Sequence, residues 1–315
     1  MNATAFRAAL DAGERILLDG SFDAARAQGA DLSDRLWSAR LLLDDPAEIV
    51  RAHLAFYRAG ARVATTASYQ ATFEGFAGRG IDRAGAEALL RRSVDLAIEA
   101  RAQAEAEDAA AGRPGVTRFV AASVGPYGAM LADGSEYRGN YGRTVAQLRE
   151  FHRDRLAVLA STPADVLAVE TIPEVEEAAA VGELVSEVDG AAAWVSFSCR
   201  DGGHTCSGAP IEEAIAAVDR RPGIIAVGVN CTAPEHLDEL VTRIKAATAL
   251  PIVVYPNSGE GWDAVARRWT GTDSARVDPT TATRWRNAGA TLIGGCCRVT
   301  PDQIALLQPV VAGAA

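Results

Sequence analysis

The chain has 315 residues, with 31 Lys+Arg against 41 Asp+Glu and a formal net charge of −10. At 49% hydrophobic and 23% charged it can bury a substantial core, which excludes disordered and fibrous classes. The acidic balance argues against nucleic acid or membrane partners, and no segment approaches the roughly 18 consecutive apolar residues of a membrane span.

Eight short apolar runs follow one another along the chain. They are RILLDG (15–20), ARVATTAS (61–68), RFVAASVG (118–125), DVLAVET (165–171), AAWVSFSC (192–199), IIAVGVNC (224–231), PIVVYPN (251–257) and TLIGGC (291–296). Their near-continuous hydrophobicity predicts parallel strands buried on both faces. Amphipathic stretches such as DPAEIVRAHLAFYRAG and TVAQLREFHRDRLAVLA separate them and read as helices. Strand–helix alternation without a composition break predicts an α/β fold, one (β/α)8 TIM barrel domain spanning 1–315. A doubly wound open sheet is the alternative, but no G-x-G-x-x-G follows the first run.

The connections carry a polarity. Segments entering strands are short (RAGA, STPA, RRPG, NAGA), whereas SYQATFEGFAGRGI, GPYGAMLADGSEYRGNYG and NSGEGWDAVARRWTGTDSARVD leave strands and are long. Long loops at carboxyl ends of barrel strands predict the active-site face. The residues standing there are Asp19, Ser68, Tyr69, Gln70, Tyr127, Glu170, Thr171, Cys199, Asn230, Cys231, Asn257, Cys296 and Cys297.

Five cysteines, an odd number, and no secretory apolar segment near residue 1 point away from a disulfide framework and towards a reducing cytoplasm. Cys231, Cys296 and Cys297 end the sixth and eighth runs, whose ends can converge across a barrel mouth. Three thiolates there would leave a fourth tetrahedral position open, the pattern of catalytic zinc, and soft sulfur selects Zn2+ over Mg2+ or Ca2+. The alternative is that these small residues simply pack a tight strand end. Cys199 and Cys206 read as spectators. Asp19 and Glu170 end apolar strands, where a carboxylate needs a cation such as an α-ammonium group. The single lysine, Lys245, and the four histidines fall in helices or loops away from strand ends.

The combination of GVNC (228–231), GGCCR (294–298), DLSDRLWSARLL, TTASYQAT, GPYGAMLADGSEYRGNYG and YPNSGEGW resembles the homocysteine S-methyltransferase family, on its S-methylmethionine-using branch. The resemblance covers essentially the whole chain. It implies a zinc-dependent barrel that makes methionine from homocysteine, with Cys231, Cys296 and Cys297 as zinc ligands and Asp19 and Glu170 on the homocysteine amino group. The implied donor is the sulfonium S-methylmethionine, with S-adenosylmethionine as a second candidate. A betaine or corrinoid donor on the same barrel, and a non-catalytic zinc- or thiol-binding barrel, stand as alternatives.

A sulfonium favours aromatic faces. Tyr69, Phe73, Phe76, Tyr127, Tyr137, Tyr141 and Trp262 occupy the long loops, with Tyr127 and Trp262 the leading donor-pocket candidates. The glycine-rich 126–143 segment is the candidate cover that excludes water. One departure stands out: after Asp19-Gly20 the family pattern gives way to Ser21, Phe22 and Asp23.

Overall fold

The computed structural model of the chain describes residues 1–21, 38–259, 261–263, 268–270 and 277–313, with the backbone alone at 38, 39, 261–263 and 268–270. The strands in chain order are β1 (Ile16–Leu17), β2 (Val63–Thr65), β3 (Phe119–Val124), β4 (Val166–Ile172), β5 (Ala193–Phe197), β6 (Ile224–Asn230), β7 (Ile252–Tyr255), β8 (Gly261–Asp263), β9 (Arg268–Thr270) and β10 (Ala290–Ile293). Eight of them form one parallel sheet in the order β1-β10-β7-β6-β5-β4-β3-β2. The circle closes where the Arg62 backbone N–H donates to the Leu17 carbonyl at 2.7 Å and Leu18 bridges to Val63. The predicted (β/α)8 barrel is therefore the observed fold; six barrel strands lie within the apolar runs, while β4 extends one residue past its run to Ile172 and β10 starts one residue before its run at Ala290. The remaining pair, β8 and β9, is an antiparallel hairpin inside the long segment after β7, with Trp262 opposite Trp269.

Alternation along the strands explains why the runs are apolar throughout. Leu17, Val120, Leu167, Val169, Val195, Val227, Val254 and Ile293 pack outwards under the helices. Their neighbours Ile16, Leu18, Val63, Phe119, Val166, Trp194, Val253 and Leu292 fill the barrel interior. Small Ala121, Ala168 and Ala226 make room there for Trp194 and Tyr255, and the Trp194 indole Nε1 donates to the Tyr255 hydroxyl at 3.0 Å.

Helix boundaries follow local chemistry. Thr144 with Gln147, Asp278 with Thr281, and Thr300 with Gln303 form capping boxes at the starts of Val145–Ala160, Pro279–Ala288 and Pro301–Ala312. Proline occupies the first helical turn of the latter two, where its missing N–H costs nothing. A helix with no counterpart in the sequence reading, Thr4–Asp11, closes the amino-terminal end of the barrel. Its Phe6 meets Phe119 edge-on at 5.0 Å and Trp194 at 6.3 Å. Among the described residues, no helix is long and apolar enough to cross a membrane.

Candidate active site

Two residues beyond the apolar interior layer, the same inward positions turn polar. Ser123 follows Ala121, Glu170 follows Ala168, Ser196 follows Trp194, and Asn230 ends β6. All four are buried, so each must find a partner within the barrel. The Ser123 hydroxyl donates to Glu170 Oε1, and the Tyr255 hydroxyl bonds the same carboxyl group. The Tyr255 hydroxyl lies 2.6 Å from Ser196 Oγ, and Ser196 Oγ donates to Asn230 Oδ1 at 2.8 Å. A continuous hydrogen-bonded layer thus floors the mouth.

Above it lies a cavity of about 80 Å³, lined by Asp19, Gly20, Ser21, Thr65, Thr66, Tyr69, Tyr137, Glu170, Thr171, Cys231, Tyr255, Gly295, Cys296 and Cys297. The sulfurs of Cys231, Cys296 and Cys297 all lie within 4.8 Å of one another. Cys297 Sγ is 3.5 Å from Cys231 Sγ and 3.9 Å from Cys296 Sγ. Tetrahedral zinc with bonds of about 2.3 Å would hold its sulfurs about 3.8 Å apart, so this donor set fits one such ion.

The backbone brings the sulfurs together from both sides of β7. Cys231 N–H donates to Tyr255 O at 3.1 Å, and Cys296 N–H donates to Pro256 O at 2.7 Å. Gly295 is required by close approach: a Cβ there would sit 2.2 Å from Val299 Cγ1. Cys231 and Cys296, 65 residues apart in sequence, are joined as a disulfide, and Cys297 is not part of it. No disulfide was expected from the cysteine count. The convergence that lets three sulfurs share an ion also brings two of them within bonding distance.

Two carboxyl groups, Asp19 and Glu170, line the same cavity. Burial pushes Asp19 up to about 8 against the Thr65 backbone and side-chain hydrogen bonds that favour its anion. Those bonds are Thr65 N–H to Oδ2 at 2.6 Å and Thr65 Oγ1 to Oδ1 at 2.9 Å. Burial likewise pushes Glu170 up to about 7, opposed by Ser123 and Tyr255. Two buried acids facing one cavity describe a site suited to receive a cation.

Of the residues expected at the mouth, Asp19, Tyr69, Glu170, Thr171, Cys231, Cys296 and Cys297 line this cavity. Ser68 does not: its hydroxyl lies 2.7 Å from Thr66 Oγ1 and donates to Ser123 O at 2.8 Å. Gln70 is turned away, its amide donating to Ala129 O at 3.1 Å. Asn230 belongs to the floor and does not line the cavity. Tyr127 faces a separate outer groove with Phe73 and Arg143, its ring against Tyr141 and Phe151. That outward turn is set by the Tyr127 backbone N–H, which donates to buried Glu177 Oε1 at 2.6 Å. Phe76 is wholly buried in the core. Phe22, Asp23 and the Trp262 side chain lie outside the described residues.

Two aromatic residues carry more of the cavity than the strand-end reading allowed. Tyr137 reaches in from the 126–143 segment, its hydroxyl 4.0 Å from Cys297 Sγ. Tyr255 blends into the apolar PIVVYPN run, and counting inward positions from Val253 identifies it.

A family model described as Homocysteine S-methyltransferase matches residues 16–311. The chain belongs to the homocysteine S-methyltransferase family. It is 46% identical to the homocysteine S-methyltransferase of Escherichia coli (strain K12) over 305 residues, covering 96% of this chain and 97% of that protein. It is 47% identical to homocysteine S-methyltransferase 4 of Zea mays over 310 residues, covering 96% and 90% respectively. The fold superposes on the metallated form of the homocysteine methyltransferase MmuM from Escherichia coli with a TM-score of 0.85. That comparison has 44% sequence identity and covers 96% of this chain and 98% of the other. The oxidized form of the same E. coli protein gives a TM-score of 0.86. As a homocysteine S-methyltransferase this chain is a transferase, and its thiol-rich cavity lies at the carboxyl ends of the barrel strands.

Proposed function

We propose that this chain transfers a methyl group from a sulfonium donor to the thiol of L-homocysteine, giving methionine, with zinc held by Cys231, Cys296 and Cys297. The preferred donor on this reading is S-methylmethionine, with S-adenosylmethionine as a second. The observation that carries it is one small cavity lined by three converging sulfurs and two buried acids. Homocysteine bears a thiol and an ammonium group on one short carbon chain, so the sulfurs and the acids match its two ends. The likeness to a metallated relative supports the metal.

A zinc ion on these sulfurs would supply the positive charge that keeps the acceptor thiol deprotonated, since a free thiol of pKa about 8.5 is largely protonated at neutral pH. The protein's own residues do the rest. Asp19 and Glu170 take the ammonium group and fix which way the acceptor points. Ser123 and Tyr255 hold Glu170, so its carboxyl group cannot swing away when the amino group arrives. Tyr69 and Tyr137 offer aromatic walls to a cationic donor, each worth roughly 0.5–2 kcal/mol by analogy with other cations. A sulfonium is already a good leaving group, so no proton donor is needed. This agrees with His53 and His152 lying buried within helices rather than at the cavity.

The test is direct. Reduced, zinc-loaded protein is supplied with L-homocysteine and, in separate reactions, S-methylmethionine, S-adenosylmethionine or betaine, and methionine is quantified by mass spectrometry. Methionine from the sulfonium donors is expected, fastest from S-methylmethionine. Product from betaine alone, or from no donor, overturns the reading. C296A is expected to lose zinc and activity together; stoichiometric zinc in that variant would remove Cys296 from the ligand set.

A further inference from the structure

We propose that Asn230 is a positioning residue for the homocysteine site, bracing a left-handed turn at Thr171 that presents Glu170 and Tyr69 to the cavity. The proposal rests on the assignment of Glu170 to the acceptor amino group. It begins with a register slip. Val169 pairs with Val195 and Ile172 with Phe197, so three steps along β4 match two along β5. The extra residue is a bulge, a device that re-aims side chains beside active sites. Within it Thr171 has φ of 63°, a conformation in which a β-branched residue is a genuine outlier.

Such a turn persists only where its surroundings over-determine it. Thr171 N–H donates to the Asn230 side chain, reaching Oδ1 at 2.7 Å. Asn230 Nδ2 returns a hydrogen bond to Thr171 Oγ1 at 2.8 Å. Ser196 Oγ, on the strand between them, donates to the same Oδ1 at 2.8 Å. Two donors on Oδ1 settle which way the amide faces, leaving Nδ2 towards Thr171 and, at 3.9 Å, Cys296 Sγ.

Asn230 is wholly buried and does not line the cavity, so contact with substrate is not its role. Thr171 does line it, and its side chain hydrogen-bonds Tyr69. Glu170 is the residue immediately before the turn. One amide therefore ties the backbone beside Glu170, the Thr171–Tyr69 contact and the sulfur cluster into a single geometry.

Removing the brace is expected to let Thr171 relax, so that the competent turn is populated only part of the time. Apparent affinity falls by that fraction. N230A should raise KM for homocysteine about tenfold while kcat stays within about twofold and zinc stoichiometry is retained. Glycine tolerates positive φ freely, so adding N230A to T171G, which already lacks the hydroxyl that bonds Tyr69, should leave KM within about threefold of T171G alone. An unchanged KM in N230A, or a tenfold rise on adding N230A to T171G, overturns the proposal. If N230A alone does not fold, the T171G background is decisive: there, loss of Asn230 should leave KM unaltered, and a further tenfold rise would refute the brace. A crystal structure of N230A gives a readout independent of turnover. Thr171 is expected to leave the left-handed region, and its persistence there overturns the proposal. Should wild type fail to make methionine, the functional reading falls while this backbone readout still decides the brace.

Discussion

Asp19 and Glu170 hold protons to unusually high pH because burial penalises their charged forms, at about 8 and about 7 respectively. In the unfolded chain both ionise near pH 4. Between those limits the folded state binds more protons than the unfolded, so each acid lowers stability progressively as pH rises through the window. Glu170→Gln removes one such contribution. Its melting temperature relative to wild type, both metal-free, is expected to be higher at pH 7.5 than at pH 5. Buried Glu177 and Glu136 shift in the same direction, and buried His53 and His152 in the opposite one, but these are common to both proteins and cancel in the difference. The same variant should raise KM for homocysteine roughly tenfold, the order of a lost charge-assisted hydrogen bond, while keeping its zinc. A stability difference that does not change with pH would show that Glu170 ionises normally in the fold. At this scale the chemistry was legible where a residue broke its context, as an acid or paired cysteines ending an apolar run do. Ser196 and Tyr255 blend into their strands, and only inward counting along each strand reveals them.

The 126–143 segment shows how one element divides its aromatic residues between two faces. Its first turn is tied down from beneath. Glu177 Oε1 accepts from Tyr127 N–H and lies 2.7 Å from His152 Nε2, while Arg155 lies 2.7 Å from His152 Nδ1 and donates to Gly125 O. Both flanks of Pro126 are thereby fixed, Tyr127 points outwards, and the chain must return before Tyr137 can enter the cavity. The return passes Gly128. A Cβ there would stand 2.5 Å from the Glu136 nitrogen and 2.7 Å from the Ser135 carbonyl carbon, both backbone atoms that cannot rotate aside. Gly128→Ala is therefore expected to push the Ser135–Tyr137 turn away from the sulfur cluster. We expect kcat/KM for methyl transfer to fall at least about tenfold with zinc binding intact, since positioning errors of about an ångström carry such costs. Steady-state kinetics beside a zinc titration would check it, and an unaffected kcat/KM would mean that Tyr137 does not shape the reaction. Sequence marked this segment as glycine-rich and long. Which tyrosine turns inwards depends on Glu177, 50 residues further along the chain than Tyr127, and on His152, 25 residues before Glu177, and local pattern cannot supply that.

For the whole molecule, the barrel was readable because its strands are buried on both faces and recur with helices between them, a signal summed over eight repeats. The Thr4–Asp11 plug and the β8–β9 hairpin escaped, being single short elements with no repeat to reinforce them. Convergence of the cysteines is likewise a property of closure. Cys231 follows β6, Cys296 and Cys297 follow β10, and β7 lies between, so only a rolled sheet brings the three sulfurs to one point. A metal there would link two non-adjacent strand ends and stabilise the folded barrel over the unfolded chain, in which no such site exists. At zinc one hundredfold above its dissociation constant the gain is about 2.7 kcal/mol, enough to raise the melting temperature by several degrees. The rise is expected only in reduced protein, because the Cys231–Cys296 disulfide occupies two of the three sulfurs. Thermal melts with and without zinc, under reductant and after oxidation, would separate the cases, and a chelator should return the reduced protein to its metal-free value. An equal rise in reduced and oxidised protein would show that zinc binds elsewhere, and no rise in fully reduced protein would remove the metal from this barrel.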